Sequence, residues 1–277
     1  MSVIKRRIKS VKSTIKITNA MKLVSTSKLR RARLRFEQTK PFFGEIYKDM
    51  IELAARIDVH QLQYVHKGLS PKALYIVISG DRGLAGGFNL NLFKKVVENV
   101  DKENTIFSPI GNIAISFFNK NGFNVWGGVS NIGEKITPEK AYHMAARMLY
   151  NYNSNLFSEI YLAYTGFLST LSQEPTIKKI LPLDFGKSLR NKSGRLVYYE
   201  PNPDAVFQAI VPQYFAGMLY GGMVESFAAE QAARSNAMES ATGNATRIID
   251  DLTLKYNRAR QFAITKEIIE IVSGAAS

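Results

Sequence analysis

A glycine-rich turn is the first place in this sequence where chemistry could be expected. Gly80–Gly87 contains four glycines, follows the apolar run Ala73–Ser79 and precedes a stretch of helix-forming residues. A turn between a strand and a helix is a common binding site for a phosphate group. A dinucleotide fingerprint needs G-x-G-x-x-G, and a P-loop needs Gly-Lys followed by Ser or Thr, whereas Phe88 follows the last glycine here. We interpret the run as a structural turn with Asn89 capping the next helix, and keep nucleotide binding as the alternative.

Other residues that could support catalysis or bind metal ions do not form a recognisable pattern. The chain has no cysteine, which excludes disulfides, thiolate metal sites and cysteine nucleophiles. His60, His66 and His143 are far apart in the sequence, so a zinc hydrolase motif is missing. Asp250 and Asp251 are adjacent and would point to different faces of a helix. We therefore predict no catalytic, cofactor or metal site on this chain.

The charge is concentrated at one end. The formal net charge is +14, and residues 1–40 contain 13 basic residues against one acid, Glu37, which leaves only +2 for the remainder. Such a block needs an anionic partner: nucleic acid, an acidic protein surface or anionic lipid. No run of eighteen apolar residues is present, and the N-terminus lacks the apolar stretch of a signal peptide. We expect the protein to stay in the compartment where it is made.

The first sixty residues predict one long helix. Apolar residues recur with a 3.5-residue period at twelve of sixteen positions, which is typical of a helix packed against another helix. Pro41 is expected to kink it or mark a local break. The sixteen positions are Ile4, Ile8, Val11, Ile15, Thr18, Lys22, Ser25, Leu29, Ala32, Phe36, Thr39, Phe43, Ile46, Met50, Leu53 and Ile57. A helix of this length measures roughly 80 Å and would have to project from a compact fold.

The C-terminal region predicts a second long helix. Helix-forming residues dominate from Asp204 to Val272, and the alanine-rich stretch Phe227–Ala245 would let two helices approach closely. Paired glycines at Gly221-Gly222 predict a bend. Farther along, a seam is expected at Ile248, Leu252, Tyr256, Ala259, Phe262 and Ile269. Two long terminal helices favour an antiparallel coiled coil within the chain, and a folded-back helical bundle is the alternative.

The middle of the chain predicts an α/β domain. Strands are expected at Ala73–Ser79, Thr105–Gly111, Phe123–Trp126 and Glu159–Tyr164, with a further edge strand at Leu196–Tyr199. Helices are expected at Leu90–Val100, Ile113–Lys120 and Pro138–Asn153. Alternating strands and helices are typical of a parallel sheet. The predicted fold class is α/β: a long antiparallel coiled coil of residues 1–60 and 204–277 with a central Rossmann-like parallel domain of residues 70–200.

Several motifs, in the same order over the full length, resemble the gamma subunit family of F-type ATP synthases. The C-terminal run Ile264–Ala275 resembles the signature of that family. The other motifs are Ile8–Met21, Val24–Lys28, Asp81–Asn89, Glu230–Met238 and Tyr256–Gln261.

The resemblance implies a rotor subunit, present in one copy per complex. Its partners would be the alpha and beta subunits of the catalytic hexamer, the epsilon subunit and the membrane c-ring, with Mg-ATP or Mg-ADP bound on the beta subunits. It implies contacts to beta-subunit loops from Met21, Lys22, Arg234, Arg260, Gln261 and Thr265. It also implies, more weakly, a foot on the c-ring around Tyr199 and Glu200.

The residues themselves leave two rival functions open. A basic arm at residues 1–40 could bind nucleic acid, although its basic residues share a helix with an apolar seam and no aromatic residue precedes Phe36. A nucleotide-dependent enzyme using Gly80–Gly87 is the other. Since the family's chloroplast cysteine insertion and a transit peptide are both missing, the resemblance favours a bacterial protein at the cytoplasmic face of the plasma membrane, without bound nucleic acid.

Overall fold

A computed structural model describes residues 2–55, 64–131, 133–185 and 198–275. The chain begins with helix α1 (Ser2–Ala54) and ends with helix α5 (Pro203–Ala275). It divides into two compact units. One consists of Met1–Thr26 with Arg234–Ser277, and the other, called here the central unit, is Ser27–Ala233.

The central unit contains a four-stranded sheet with the order β2-β1-β3-β4. Its strands are β1 (Ala73–Ile78), β2 (Thr105–Ile110), β3 (Glu159–Phe167) and β4 (Gln173–Leu181). Strand β1 pairs in parallel with both β2 and β3, as predicted, but β4 pairs antiparallel with β3. The sheet is therefore mixed rather than wholly parallel.

Three shorter helices connect the strands. They are α2 (Phe88–Glu98), α3 (Asn112–Lys120) and α4 (Pro138–Asn153). Helix α4 has the predicted limits, because Pro138 occupies its first turn and the Thr137 side chain accepts a hydrogen bond from the Lys140 amide at 3.3 Å.

Strand β1 is buried on both faces of the sheet. Leu74, Ile76 and Ile78 belong to the larger core cluster, whereas Tyr75 and Val77 belong to a second cluster that includes residues of α2 and α3. Burial on both faces explains why this strand is a continuous apolar run instead of alternating with polar residues.

Two local predictions are wrong, and one strand was missed. Phe123–Trp126 is not a strand, because only an isolated bridge from Val125 to Phe107 forms there. Strand β4 was not predicted, since its sequence contains Pro175 and two lysines, as an edge strand can. Asn89 does not cap α2: the cap position is Gly87, and the Asn89 Oδ1 accepts from the Gly80 amide at 3.0 Å.

The predicted edge strand Leu196–Tyr199 lies in part outside the described residues. Its last two residues, Tyr198 and Tyr199, are described and do not form a strand.

The apolar seam predicted for α1 is confirmed. Every seam position whose side chain is described is buried or half-buried, including the polar residues Thr18 and Ser25. Helix α1 continues through Pro41 without interruption. Within the central unit, Leu29 and Ala32 of α1 pack against Ala228 and Ala232 of α5, so small side chains allow the predicted close approach.

Helix α5 also continues through the two glycines at which a bend was predicted. Gly222 faces the sheet there: a Cβ atom at this position would lie 2.9 Å from Leu162 Cδ2. The glycine therefore allows the helix to contact β3 closely. Among the residues described, no helix has the length and apolar character needed to cross a membrane.

Candidate partner-contact surface

The terminal helices pair antiparallel in the unit formed by the two ends of the chain. Three side-chain contacts fix their register. Thr26 and Ser235 hydroxyl oxygens lie 3.2 Å apart, Lys22 Nζ lies 2.7 Å from Glu239 Oε1, and Thr18 and Thr242 hydroxyl oxygens lie 2.6 Å apart. Because one residue number rises as the other falls, the helices run in opposite directions, as the sequence predicts.

Polar residues interrupt the apolar seam at Thr18 and Lys22, which make two of these three contacts. Thr26, which makes the third, lies one position past the seam residue Ser25. Thr18 and Ser25 are 7% and 2% exposed, so their side chains lie within the helix pair and not on its surface. The four polar exceptions to the 3.5-residue repeat include Thr18, Lys22 and Ser25. The interruptions at Thr18 and Lys22 were therefore the available signal for two of the three interhelical contacts.

The end of α5 extends past the start of α1. Continuing the register from Thr18 and Thr242 places Ser2 opposite residues near Arg258, since both helices rise by the same amount per residue. The following turns of α5 therefore have no opposing segment of α1 among the described residues. Apolar side chains are exposed along these turns: Phe262 is 74% exposed, and Ile264, Ile268, Ile269 and Ile271 are also exposed.

The seam predicted for the end of α5 is partly wrong. Leu252, Tyr256 and Ala259 are half-buried, as a seam requires, but Ile248, Phe262 and Ile269 are exposed. The half-buried residues nearest to the failed positions are Ile249 and Ala263. The prediction placed Phe262 in the seam, but the smaller neighbour Ala263 is the half-buried residue there. The helix directs Ile248, Phe262 and Ile269 outwards.

The residues predicted to contact partners lie at three places. Met21 and Lys22 are half-buried on α1, and Arg234 is buried on α5. Arg260, Gln261 and Thr265 are exposed near the end of α5.

Spacing separates these positions along α5. Gln261 and Thr265 are one turn apart, and the Thr265 hydroxyl donates to the Gln261 carbonyl at 2.9 Å. Arg234 and Arg260 are 26 positions apart, which corresponds to about 39 Å along a helix, so they cannot belong to one site. In the central unit, Tyr199 packs partly against the larger core cluster, and Glu200 is exposed.

Comparison with known proteins decides the family. A sequence profile of the ATP synthase family matches residues 1–277. The ATP synthase gamma chain of Alkaliphilus metalliredigens is 41% identical over 99% of this chain and 97% of that protein. The chain belongs to the ATP synthase gamma chain family.

A second relative supports this assignment, and a solved structure is similar in fold. The gamma chain of Acetobacterium woodii, which is named as sodium ion specific, is 37% identical over 98% of this chain and 96% of its own length. A chain of the Euglena gracilis mitochondrial ATP synthase, from a structure of OSCP, F1 and c-ring, is similar in fold with a TM-score of 0.73 at 18% identity. That match covers 99% of this chain and 93% of the other.

In this gamma chain, the glycine-rich turn contacts the start of α3, the loop at Asn131 and helix α5. Asp81 Oδ1 accepts hydrogen bonds from the backbone amides of Asn112, at 3.1 Å, and Asn131, at 2.9 Å. Ala85 and Phe88 pack against Ala229 of α5. The carboxylate of Asp81 thus lies at the first residue of α3, where it satisfies an amide that could otherwise bind an anion. This arrangement supports the structural interpretation of the turn over nucleotide binding.

The roles of three acidic side chains in the gamma chain could not be predicted from the sequence, although two of them stand first in motifs that resemble the family. They are Glu239, which pairs with Lys22; Asp81, which joins two loops; and Glu230, which is only 7% exposed in α5. Single acidic residues carry no periodic signal, so only the positions of their partners in the fold reveal them.

Proposed function

We propose that this gamma chain is the rotating central shaft of an ATP synthase, turning within a hexamer of alpha and beta subunits to couple ion flow to ATP synthesis or hydrolysis. The observation that carries the proposal is the antiparallel pairing of the two chain ends, beyond which α5 exposes Phe262 and several isoleucines. An exposed apolar segment of this kind requires a surrounding partner. A ring of subunits around the end of α5 would supply one.

The proposed mechanism is a change in contacts as the shaft turns. A shaft with chemically different sides presents a different surface to each beta subunit and so biases the open and closed states of each one. Shifting such an equilibrium from 1:99 to 99:1 requires roughly 5.5 kcal/mol of differential binding. Desolvated charge pairs between the shaft and several loops could together supply that amount.

Individual contacts are proposed from the sequence resemblance. Lys22, Arg234, Arg260, Gln261 and Thr265 would bind loops of the beta subunits, with the arginines pairing with carboxylates. Their spacing along α5 supports contacts at two heights, about 39 Å apart, rather than a single site. Met21 would face an acidic segment of the beta subunit and fill space without forming an ion pair.

We also propose which residues form the base of the rotor and where in the cell the complex lies. Residues 1–60 and 204–277 would form the shaft, and residues 70–200 the base, with Tyr199 and Glu200 near the c-ring and the epsilon subunit beside them. ATP chemistry would take place on the beta subunits, with no catalytic site on this chain. The bacterial relatives support a position at the cytoplasmic face of the plasma membrane.

Copurification and turnover test the proposal together. The full chain should bring down alpha and beta subunits with one gamma chain per hexamer, and the ratio should persist after nuclease treatment. The isolated chain should not hydrolyse Mg-ATP. Turnover by the isolated chain, or recovery of nucleic acid that is lost at high salt in place of the hexamer, would contradict the rotor proposal.

A further inference from the structure

A small cavity lies at the carboxyl ends of β1 and β2, within the central unit. Its volume is about 30 Å³. Four of its lining residues carry polar side chains: Ser79, Asp81, Ser226 and Glu230. Ile78, Ile110 and Met223 are among its apolar walls. The cavity thus lies between the ends of two strands and α5.

One polar atom facing this cavity has unsatisfied hydrogen bonding. Ser226 is 1% exposed, and its hydroxyl oxygen finds no hydrogen-bond partner within the part of the chain that the structure describes. A buried hydroxyl without a partner lowers the stability of a fold, and most such groups in proteins are paired with protein or ordered water. Ser226 differs from the other buried unpaired hydroxyls, those of Ser158 and Thr165, in that it lines this cavity, where a hydrogen-bonding ligand could reach it.

A second acceptor is held next to Ser226 by the same helix. Glu230 lies one turn farther along α5, and its side chain is packed against the turn after β1: a Cβ atom on Gly80 would lie 2.6 Å from Glu230 Oε1. The backbone of Gly80 is fixed at both ends. Its amide donates to Asn89 Oδ1 at 3.0 Å, and its carbonyl accepts from the Ile113 amide at 3.2 Å. Backbone hydrogen bonds therefore hold in place the turn against which Glu230 packs.

We propose that this cavity is a binding site for an ordered water molecule that joins Ser226 to the carboxylate of Glu230. A water molecule needs roughly 10–15 Å³ of cavity volume and two to four polar partners. The cavity has a volume of about 30 Å³, and four residues with polar side chains line it. The Ser226 hydroxyl would donate to the water oxygen, and the water would donate to the carboxylate. Among the described residues no cluster of three or more acidic or histidine side chains could hold a metal ion, which favours water over a cation.

Two serine variants of the full chain test the proposal. Ser226→Ala should lower the midpoint of thermal unfolding by about 2–4 °C, because the water loses a partner. Ser158→Ala is the matched control, since Ser158 is also fully buried with an unsatisfied hydroxyl but does not line this cavity. Its midpoint should stay the same or rise. A higher midpoint for Ser226→Ala, or an equal loss in both variants, would overturn the proposal.

Crystallography of the full chain or its complex gives an independent test that requires no variant. Electron density should appear in the cavity, about 2.7–3.2 Å from the Ser226 hydroxyl oxygen. A cavity without density would contradict the proposal. So would a bound ion surrounded by oxygen atoms at about 2.4 Å.

Discussion

The hydroxyl groups of Thr18 and Thr242 share a hydrogen bond of 2.6 Å across the antiparallel terminal helices. The Thr242 hydroxyl also lies 2.9 Å from the Met238 carbonyl of its own helix, and that of Thr18 lies 3.1 Å from the Ile15 carbonyl. One hydroxyl can therefore donate across the seam while the other donates within its helix. The pair fixes the register in a seam where apolar side chains alone would tolerate sliding.

Replacing one threonine of this pair should lower the free energy of unfolding more than replacing both. We expect Thr18→Val or Thr242→Val to lower the free energy of unfolding by about 1 kcal/mol, because the remaining hydroxyl loses its interhelical hydrogen bond and keeps only the carbonyl of its own helix. The double variant should recover most of that loss, since two valines fill the same space without a buried polar group. Urea denaturation of the full chain measures this double-mutant cycle. Strictly additive losses would show that the two hydroxyls do not interact.

Variants of the ion pair between Lys22 and Glu239 can separate two roles of Lys22: a contact within the chain and a contact with partner subunits. The pair spans 2.7 Å with side chains 36% and 64% exposed, so Glu239→Gln should cost at most about 1 kcal/mol and less at high salt. Lys22→Glu should destabilise the helix pair, and Lys22→Glu with Glu239→Lys should restore it.

The charge-swapped double variant is then informative in reconstituted membranes. If Lys22 also binds an acidic loop of the beta subunit, the double variant should unfold normally but couple ATP hydrolysis to ion transport less well. Normal coupling in that variant would restrict Lys22 to its contact with Glu239.

The seam of α1 could be predicted because it is periodic, and the end of α5 could not. A 3.5-residue repeat identifies a buried face when a partner helix covers it, as α5 does at Thr18, Lys22 and Leu29. No described residue of α1 opposes the last turns of α5, so apolar residues there, such as Phe262 and Ile269, need not lie on its seam. Periodicity locates a face, whereas the length of the partner determines where that face ends.

The prediction of strands from the sequence has a similar limit. Strand β1 was predictable because burial on both faces makes it a continuous apolar run. Strand β4 carries Lys178 and Lys179, and it is stabilised by backbone bonds to β3 that leave no hydrophobic pattern. Asp81 and Glu230 belong to motifs that resemble the family, but their contacts are with residues that are distant in sequence, so no local spacing could have indicated those contacts.

Met21→Lys should impair coupling under the proposed function. A lysine at this half-buried position would add an attraction to the acidic segment of the beta subunit that the methionine cannot make. An extra contact of about 1 kcal/mol would favour one rotary position by roughly fivefold in population, and so lower the ratio of ion transport to ATP hydrolysis. Reconstituted vesicles measure both rates. Met21→Leu keeps the volume and should behave as wild type, and an unchanged ratio in Met21→Lys would contradict the proposed contact.

Glu159 should make the stability of the central unit depend on pH. Its carboxylate lies 2.8 Å from Lys179 Nζ and 3.3 Å from Lys67 Nζ, with its side chain 18% exposed. Burial acts to raise the pKa of Glu159, but the hydrogen bonds and charges of the two lysines outweigh it and lower the pKa below 4.5. This stabilisation is complete above the pKa of the unfolded chain and is lost as the pH falls through the lower folded value.

A glutamine substitution isolates that contribution. Glu159→Gln should lower the free energy of unfolding by about 1 kcal/mol at pH 7, and the difference from wild type should shrink below pH 4.5. Denaturation curves at several pH values give both quantities. A difference that stays constant down to pH 3 would rule out the carboxylate charge as its source.

Two glycines of α5 should respond oppositely to alanine. Gly222→Ala would place a methyl group 2.9 Å from Leu162 Cδ2 and 3.5 Å from Ile78 Cδ1, in a part of the core where Leu162 is fully buried. We expect it to destabilise the fold by about 1–3 kcal/mol, since the core cannot yield without strain. At Gly243 a methyl group would meet nothing within 4 Å. Gly243→Ala should stabilise α5 by about 0.5–1 kcal/mol, because alanine loses less backbone entropy in a helix. Urea denaturation of both variants checks the contrast, and a stabilised Gly222→Ala would show that α5 does not approach β3 as closely as Gly222 allows.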